Sequence, residues 1–222
     1  MDQSTWDLIA ASFLPLLQGA VTGTIPLALI SFAVGLVLAL GVALMRLSKI
    51  RLVSGIARAY VSIIRGTPLL VQLFVIFYGL PSIGVLVDPW PSAIIAFSLN
   101  VGGYAAEVIR AAILSVPRGQ WEAAYTIRMS PAQTLMRVIL PQAARVSVPP
   151  LSNTFISLVK DTSLASLILV TELFRRAQEI AAFSQEFMVI DTKDVLLICP
   201  KDDRKFKEFI SRLAMPEFEK YR

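Results

Sequence analysis

The chain has 222 residues, 55% of them hydrophobic and only 17% charged, with a formal net charge of +5. A soluble domain carries about a quarter charged residues, so composition excludes an ordinary soluble core and points to an integral membrane domain. With no histidine and a single cysteine, Cys199, the sequence offers neither a His/Cys metal cluster nor an intramolecular disulfide.

The excess positive charge is local. Arg46, Lys49, Arg51, Arg58 and Arg65 form one cluster, and Arg110, Arg118, Arg128, Arg137 and Arg145 form another. Short loops rich in Lys and Arg stay on the cytoplasmic side of a membrane. These clusters therefore read as topology signals, and no nucleic-acid partner is expected. The N-terminus carries Asp2 and Asp7 without a basic leader, so it does not read as a cleavable signal.

Trp6, Ile9, Phe13 and Leu16 stand at near-helical spacing. The spacing predicts an amphipathic helix lying in the interface over residues 1–17, with the N-terminus outside. Leu8 to Met45 holds no charged residue for 38 positions, and about 20 apolar residues cross a hydrocarbon core of roughly 30 Å. Span one is set at residues 20–45. Span two follows Arg65-Gly66-Thr67-Pro68, with Thr67 as N-cap and Pro68 as the first helical residue. Asp88 and Trp90 mark a turn, and span three covers residues 92–114.

Residues 115–140 are basic, amphipathic and too polar to cross, which predicts a cytoplasmic helical loop. Span four covers residues 143–159 and contains Pro149-Pro150, which predicts a break or kink in the helix. Membranes tolerate such a break only against protein or a wet cavity. Lys160-Asp161 marks the far side, and residues 162–181 form an amphipathic segment outside or partly embedded. The last 37 residues hold 16 of the 37 charges and cannot cross by hydropathy.

The segment Glu122-Ala123-Ala124, three residues, Arg128, nine residues, Val138, then Leu140-Pro141 closely resembles the EAA loop of ABC-importer permeases. The spacing is complete, but Arg128 replaces the Gly of the pattern and Val138 replaces its Ile. Arg65-Gly66-Thr67-Pro68-Leu69-Leu70, Tyr104-Ala105-Ala106-Glu107, Gly119-Gln120-Trp121-Glu122 and Leu158-Val159-Lys160-Asp161-Thr162-Ser163-Leu164 resemble the polar amino-acid subfamily. The texture is similar to that of bacterial L-cystine permeases. The resemblance implies an all-α polytopic bundle, the type I ABC importer fold, with the permease domain over residues 18–185. It also implies that Glu122, Ala123, Ala124, Arg128, Leu140 and Pro141 dock on an ATPase. A glycine at position 128 would allow a turn with φ > 0; Arg128 there costs about 1 kcal/mol. The final span of the family is missing from the pattern. Residues 186–222 form a divergent charged tail, either an altered reading frame or truncated homologue, or a genuine soluble tail with Phe206, Phe209, Ile210 and Leu213 on one helix face.

Polar groups inside apolar spans are costly and face a cavity or a partner helix. Gln72, Asn100, Tyr104, Glu107, Ser152, Asn153 and Ser157 are the candidates for a substrate pathway. Glu107 either meets a substrate ammonium or pairs with Arg110 on the same helical face. Ser152 and Asn153 follow the proline pair, where freed amides can receive a carboxylate; helix-to-helix hydrogen bonding is the alternative. Lys160, Asp161, Thr162 and Ser163 form a candidate outer gate, unless Asp161 or Thr162 merely caps a helix.

The expected function is that of a permease subunit in a bacterial plasma-membrane ABC importer of a polar amino acid, with L-cystine first. The resemblance implies ATP-driven alternating access, a second permease subunit in a homo- or heterodimer, an extracellular solute-binding protein and a cytoplasmic ABC ATPase dimer. ATP and Mg belong to that ATPase, since the chain has no phosphate-binding glycine loop followed by Lys-Ser/Thr. No nucleophile–base pair stands out, so an enzyme is not expected. The rival readings are a non-functional truncated remnant and a membrane scaffold or channel not coupled to ATP.

Overall fold

The computed structural model describes residues 3–184, 187–191 and 196–200, with the side chains of residues 10–181. Helix α1 (Gln3–Gly19) passes through a π-helical turn (Ala20–Thr24) directly into α2 (Ile25–Leu47). No loop separates the expected interfacial segment, residues 1–17, from the first span. Neither Pro15 nor Pro26 ends the helix: Pro15 lies inside α1, and Pro26 directly follows the π-helical turn within the continuous helix, where it removes one backbone donor. The uninterrupted apolar helix Ala10–Leu47 has 38 residues, about 57 Å at 1.5 Å each, longer than a hydrocarbon core.

Helix α3 (Arg51–Gly66) meets α4 (Leu69–Phe74) at a sharp bend, and a π-turn (Val75–Gly79) leads into α5 (Leu80–Ser82). The bend between Arg51–Gly66 and Leu69–Ser82 is 106°. Pro68 causes it: Pro biases the preceding residue to extended backbone, and Thr67 has φ −119° and ψ 142°. Thr67 does not cap α4 as expected. Its hydroxyl donates back to the Ile63 carbonyl at 2.8 Å, so it closes α3 instead.

Helix α6 (Pro89–Ser115) is the central element. It packs along α2 in the same direction: the Ser98 hydroxyl donates to the Ser31 carbonyl at 3.2 Å, and Arg46 reaches Glu107 farther along. The shared interface is built from small residues, Ala28, Ser31, Gly35, Ala39 and Ala43 against Ala93, Ala96, Ser98, Ala105 and Ala106. Small side chains let membrane helices approach closely, because lipid supplies no hydrophobic drive between them. Helix α3 uses the same device. A Cβ on Gly103 would lie 2.6 Å from Ile64 Cγ2, so only glycine admits α3 at this distance.

After α6 come α7 (Arg118–Thr126), α8 (Pro131–Thr134), a π-turn (Leu135–Ile139) and α9 (Leu140–Asp161). The predicted helical loop at residues 115–140 is thus α7, α8 and the π-turn. Helix α9 runs antiparallel to α6, with Leu140 and Ala143 beside Ile109 and its far end beside Asn100 and Val101. The expected break at Pro149-Pro150 does not occur; α9 is continuous through both. The prolines remove two backbone donors, and nearby hydroxyls add bonds of their own, Ser152 to Val148 O at 2.9 Å and Thr154 to Pro150 O at 3.1 Å.

A 3₁₀ segment (Thr162–Ile168) leads through Leu169, at φ 67°, to α10 (Leu173–Ser184). Helix α10 folds back on the N-terminal helix. A Cβ on Gly23 would stand 2.5 Å from the Thr171 carbonyl and 2.6 Å from Glu172 Cα. Glu172 is 1% exposed. Its two carboxylate oxygens accept from the Phe174 and Arg175 amides at 2.8 and 2.6 Å, which satisfies the orphan donors of α10. The Leu173 amide donates to Thr24 Oγ1 at 3.2 Å.

Two helices, Ala10–Leu47 and Pro89–Ser115, are each long and apolar enough to cross a bilayer. Two bent pairs, Arg51–Gly66 with Leu69–Ser82 and Pro131–Ile168 with Leu173–Ala181, raise the number to as many as four. Beyond α10, β1 (Phe187–Asp191) pairs antiparallel with β2 (Leu196–Pro200), Phe187 opposite Pro200. This hairpin was not expected of the charged tail. The expected helix face of Phe206, Phe209, Ile210 and Leu213 lies outside the described residues.

Candidate functional site

Three of the helices just described enclose a polar cleft of about 370 Å³ at the α3–α4 bend. Thr67 comes from the bend, Asn100 and Tyr104 from α6, and Asn153, Ser157 and Asp161 from α9. Four of the seven candidate pathway residues, Asn100, Tyr104, Asn153 and Ser157, therefore share one cavity. Asp161, expected in the outer gate, joins them at its far end.

Gln72 stands behind this cleft. Its side-chain amide donates to the Ile64 carbonyl at 2.8 Å and to Thr67 Oγ1 at 2.9 Å, while its oxygen accepts from Asn100 Nδ2 at 3.2 Å. The bend leaves terminal carbonyls of α3 without helical partners, and Gln72 supplies a donor while fixing the position of Asn100. Ser152 lies elsewhere, on an apolar groove with Phe32, Leu36 and Phe155. In the candidate gate, the Thr162 hydroxyl donates to Val159 O at 2.7 Å and that of Ser163 to Lys160 O at 2.8 Å. Neither Asp161 nor Thr162 caps a helix with its side chain: Asp161 makes no capping bond, and the Thr162 hydroxyl bonds backward.

A second cleft of about 410 Å³ opens nearby, lined by Arg46, Arg58, Ser62, Arg65 and Glu107. Both oxygens of Glu107 are engaged: Arg46 lies 3.1 Å from one, and Arg110 donates to the other through Nε and Nη2 at 3.1 Å each. Of the two readings of Glu107, the geometry realises the pair with Arg110 and adds Arg46. The Arg65 guanidinium lies 5.4 Å from the centre of the Tyr104 ring, a cation–π contact. Tyr104 lines the first cleft and Arg65 the second, so this contact straddles them.

The loop over α7 and α8 is a built surface. The Arg128 amide donates to Tyr125 O at 3.0 Å and the Met129 amide to Ala124 O at 3.1 Å, the bond pair of a Schellman motif. Its left-handed position is Arg128, at φ 58°, where the resembled pattern has Gly. Ser130 and Gln133 then form a reciprocal capping box that starts α8. Glu122, Ala123 and Arg128 are exposed, and Pro141 is exposed in the first turn of α9. Ala124 is not available to a partner: it is 3% exposed, buried within its own chain. Leu140 packs on the cluster of Ile113, Val116 and Ile139. A hydrogen bond of 3.1 Å from Gln142 to Gln120 ties α7 to α9.

Residues 33–198 match the family described as "Binding-protein-dependent transport system inner membrane component". The match continues past residue 190, where the sequence pattern departs. The chain is 66% identical over 177 residues, 80% of its length and 76% of the relative's, to the L-cystine transport system permease protein TcyB of Bacillus subtilis (strain 168). It is 44% identical over 183 residues, 78% of this chain and 76% of the relative, to the nopaline transport system permease protein NocM of Agrobacterium fabrum. Among solved structures, a crystal structure of an amino acid ABC transporter with histidines superposes with a TM-score of 0.73 at 34% identity, covering 82% of this chain and 83% of that one. These likenesses do not favour a remnant or an uncoupled scaffold. With the bundle, the polar cleft and the capped loop in place, the chain belongs to the binding-protein-dependent inner membrane components, the permeases of ABC importers.

Proposed function

We propose that this chain is the permease subunit of a bacterial plasma-membrane importer that moves a polar amino acid, L-cystine first, by ATP-driven alternating access. The observation that carries this reading is the 66% identity to an L-cystine permease over most of both chains. The polar cleft supports it: its volume falls within the roughly 300–1,000 Å³ of small-molecule sites. Amides and hydroxyls of Asn100, Asn153, Ser157 and Thr67 offer both donors and acceptors to an amino acid. Asp161 is the one carboxylate in the lining and suits an ammonium group.

In this reading the basic ends of α2 and α6 face the cytoplasm, and the N-terminus lies outside. Glu122, Ala123, Arg128 and Pro141 present the loop to a cytoplasmic ATPase dimer, which binds ATP and Mg and drives the cycle. An extracellular solute-binding protein delivers substrate, and a second permease subunit completes the pathway. Asp161 and its neighbours Lys160, Thr162 and Ser163 stand at the outer end of the cleft as its gate. Uptake into proteoliposomes holding the assembled complex tests the reading. ATP-dependent accumulation of L-cystine above other polar amino acids is expected; accumulation of none of them overturns it.

A further inference from the structure

We propose that the cleft formed by Arg46, Arg58 and Arg65 is a carboxylate-binding site on the exit path, and that Arg65 moves between the Tyr104 ring and the substrate's carboxylate. The proposal rests on the transport reading and adds a second station to it.

Charge carries the argument first. The cleft presents three guanidinium groups and one carboxylate, Glu107. That carboxylate is already shared between Arg46 and Arg110. Among the described residues, none of the four ion pairs involves Arg58 or Arg65. Topology signals alone do not require that three arginines converge on one cavity of about 410 Å³. A planar fork of N–H donors facing an open cleft matches a carboxylate in geometry and charge.

Position carries it second. Gly66 lines this cleft and Thr67, the next residue, lines the polar cleft. Along α6, Tyr104 belongs to one and Glu107 to the other. The two cavities are therefore consecutive, and the Arg65–Tyr104 contact stands on the wall between them. A cation–π contact at a partly exposed site is weak. A carboxylate offers a stronger, charge-assisted partner. An amino acid in the polar cleft thus competes with the ring for Arg65. When its carboxylate wins, the guanidinium leaves Tyr104 and the partition opens toward Arg58.

The test uses the assembled complex in proteoliposomes, with L-cystine uptake and ATP hydrolysis measured together. For Arg65→Gln, substrate moved per ATP falls about tenfold, the scale of one charge-assisted hydrogen bond, while hydrolysis continues. Arg65→Lys, which keeps charge and loses the fork, falls less. Arg51→Gln, an exposed charge on α3 outside the cleft, serves as the control for charge loss alone. Tyr104→Leu, which removes the aromatic partner, speeds ATP-independent efflux from preloaded vesicles. An unchanged ratio in Arg65→Gln with a transporting wild type overturns this inference alone. Loss of transport in the wild type overturns the transport reading and this inference with it. If the Arg65→Gln defect vanishes in vesicles without anionic phospholipid, the arginines hold lipid phosphate and the inference fails.

Discussion

Arg128 occupies backbone space that favours glycine, at φ 58°, and its exposed side chain gains no packing in return. Arg128→Gly should stabilise the protein by about 1 kcal/mol, read as a higher melting temperature in detergent. It should also raise ATP-driven uptake in vesicles; unchanged uptake would separate the backbone strain from coupling. The strain was legible beforehand only through the resemblance to the EAA loop, which has Gly where this chain has Arg128. Glu172 was not. Glutamate is not among the usual N-cap residues, and the sequence singled out no role for it. The structure buries it to 1% exposure and engages it in two short amide bonds. Glu172→Ala should cost about 2 kcal/mol, with Glu172→Gln costing less because one acceptor oxygen remains; thermal unfolding ranks the two.

At the scale of elements, α3 shows what hydropathy hides. Residues 46–65 read as a basic loop because Arg51, Arg58 and Arg65 dominate. Yet Ala57, Val61 and Ile64, on one helical face, are buried against α2 and α6. The contact is close enough that Gly103→Ala forces Ile64 aside. Overpacking of this kind costs about 1–3 kcal/mol, and Ile64→Ala in the same chain should recover part of it. A double-mutant cycle on thermal stability measures the coupling, and strict additivity would count against the contact. The opposite error concerned α9. Pro149-Pro150 predicted a break or kink, but α9 does not break: the helix runs through both prolines. The candidate pathway was legible where polar residues recur in α6 and α9 at helical spacing. Ser152 was misplaced because, one residue from Asn153, it turns about 100° around the helix into an apolar groove.

For the whole molecule, direction in the membrane is the property to test. Single-cysteine variants at Leu86 and Arg128, made with Cys199→Ser, should react oppositely with an impermeant maleimide. Leu86→Cys should label in intact cells and Arg128→Cys only after permeabilisation. The reverse pattern would invert the whole topology. Glu122→Lys should abolish co-purification with the ATPase, since an exposed carboxylate on α7 is replaced by its opposite charge, while the bundle keeps its melting temperature.

The seam between the N-terminal helix and α10 also dictates an order of assembly. Thr24 and its bond partner, the Leu173 amide, are separated by 149 positions. During synthesis the bare surface at Gly19 and Gly23 must therefore wait, facing lipid, until nearly the whole bundle has emerged from the ribosome. Closing that seam is a late event that inspects everything made before it. A chain whose middle has misfolded cannot bring Glu172 home, and its waiting glycines stay open to whatever surveillance patrols the bilayer.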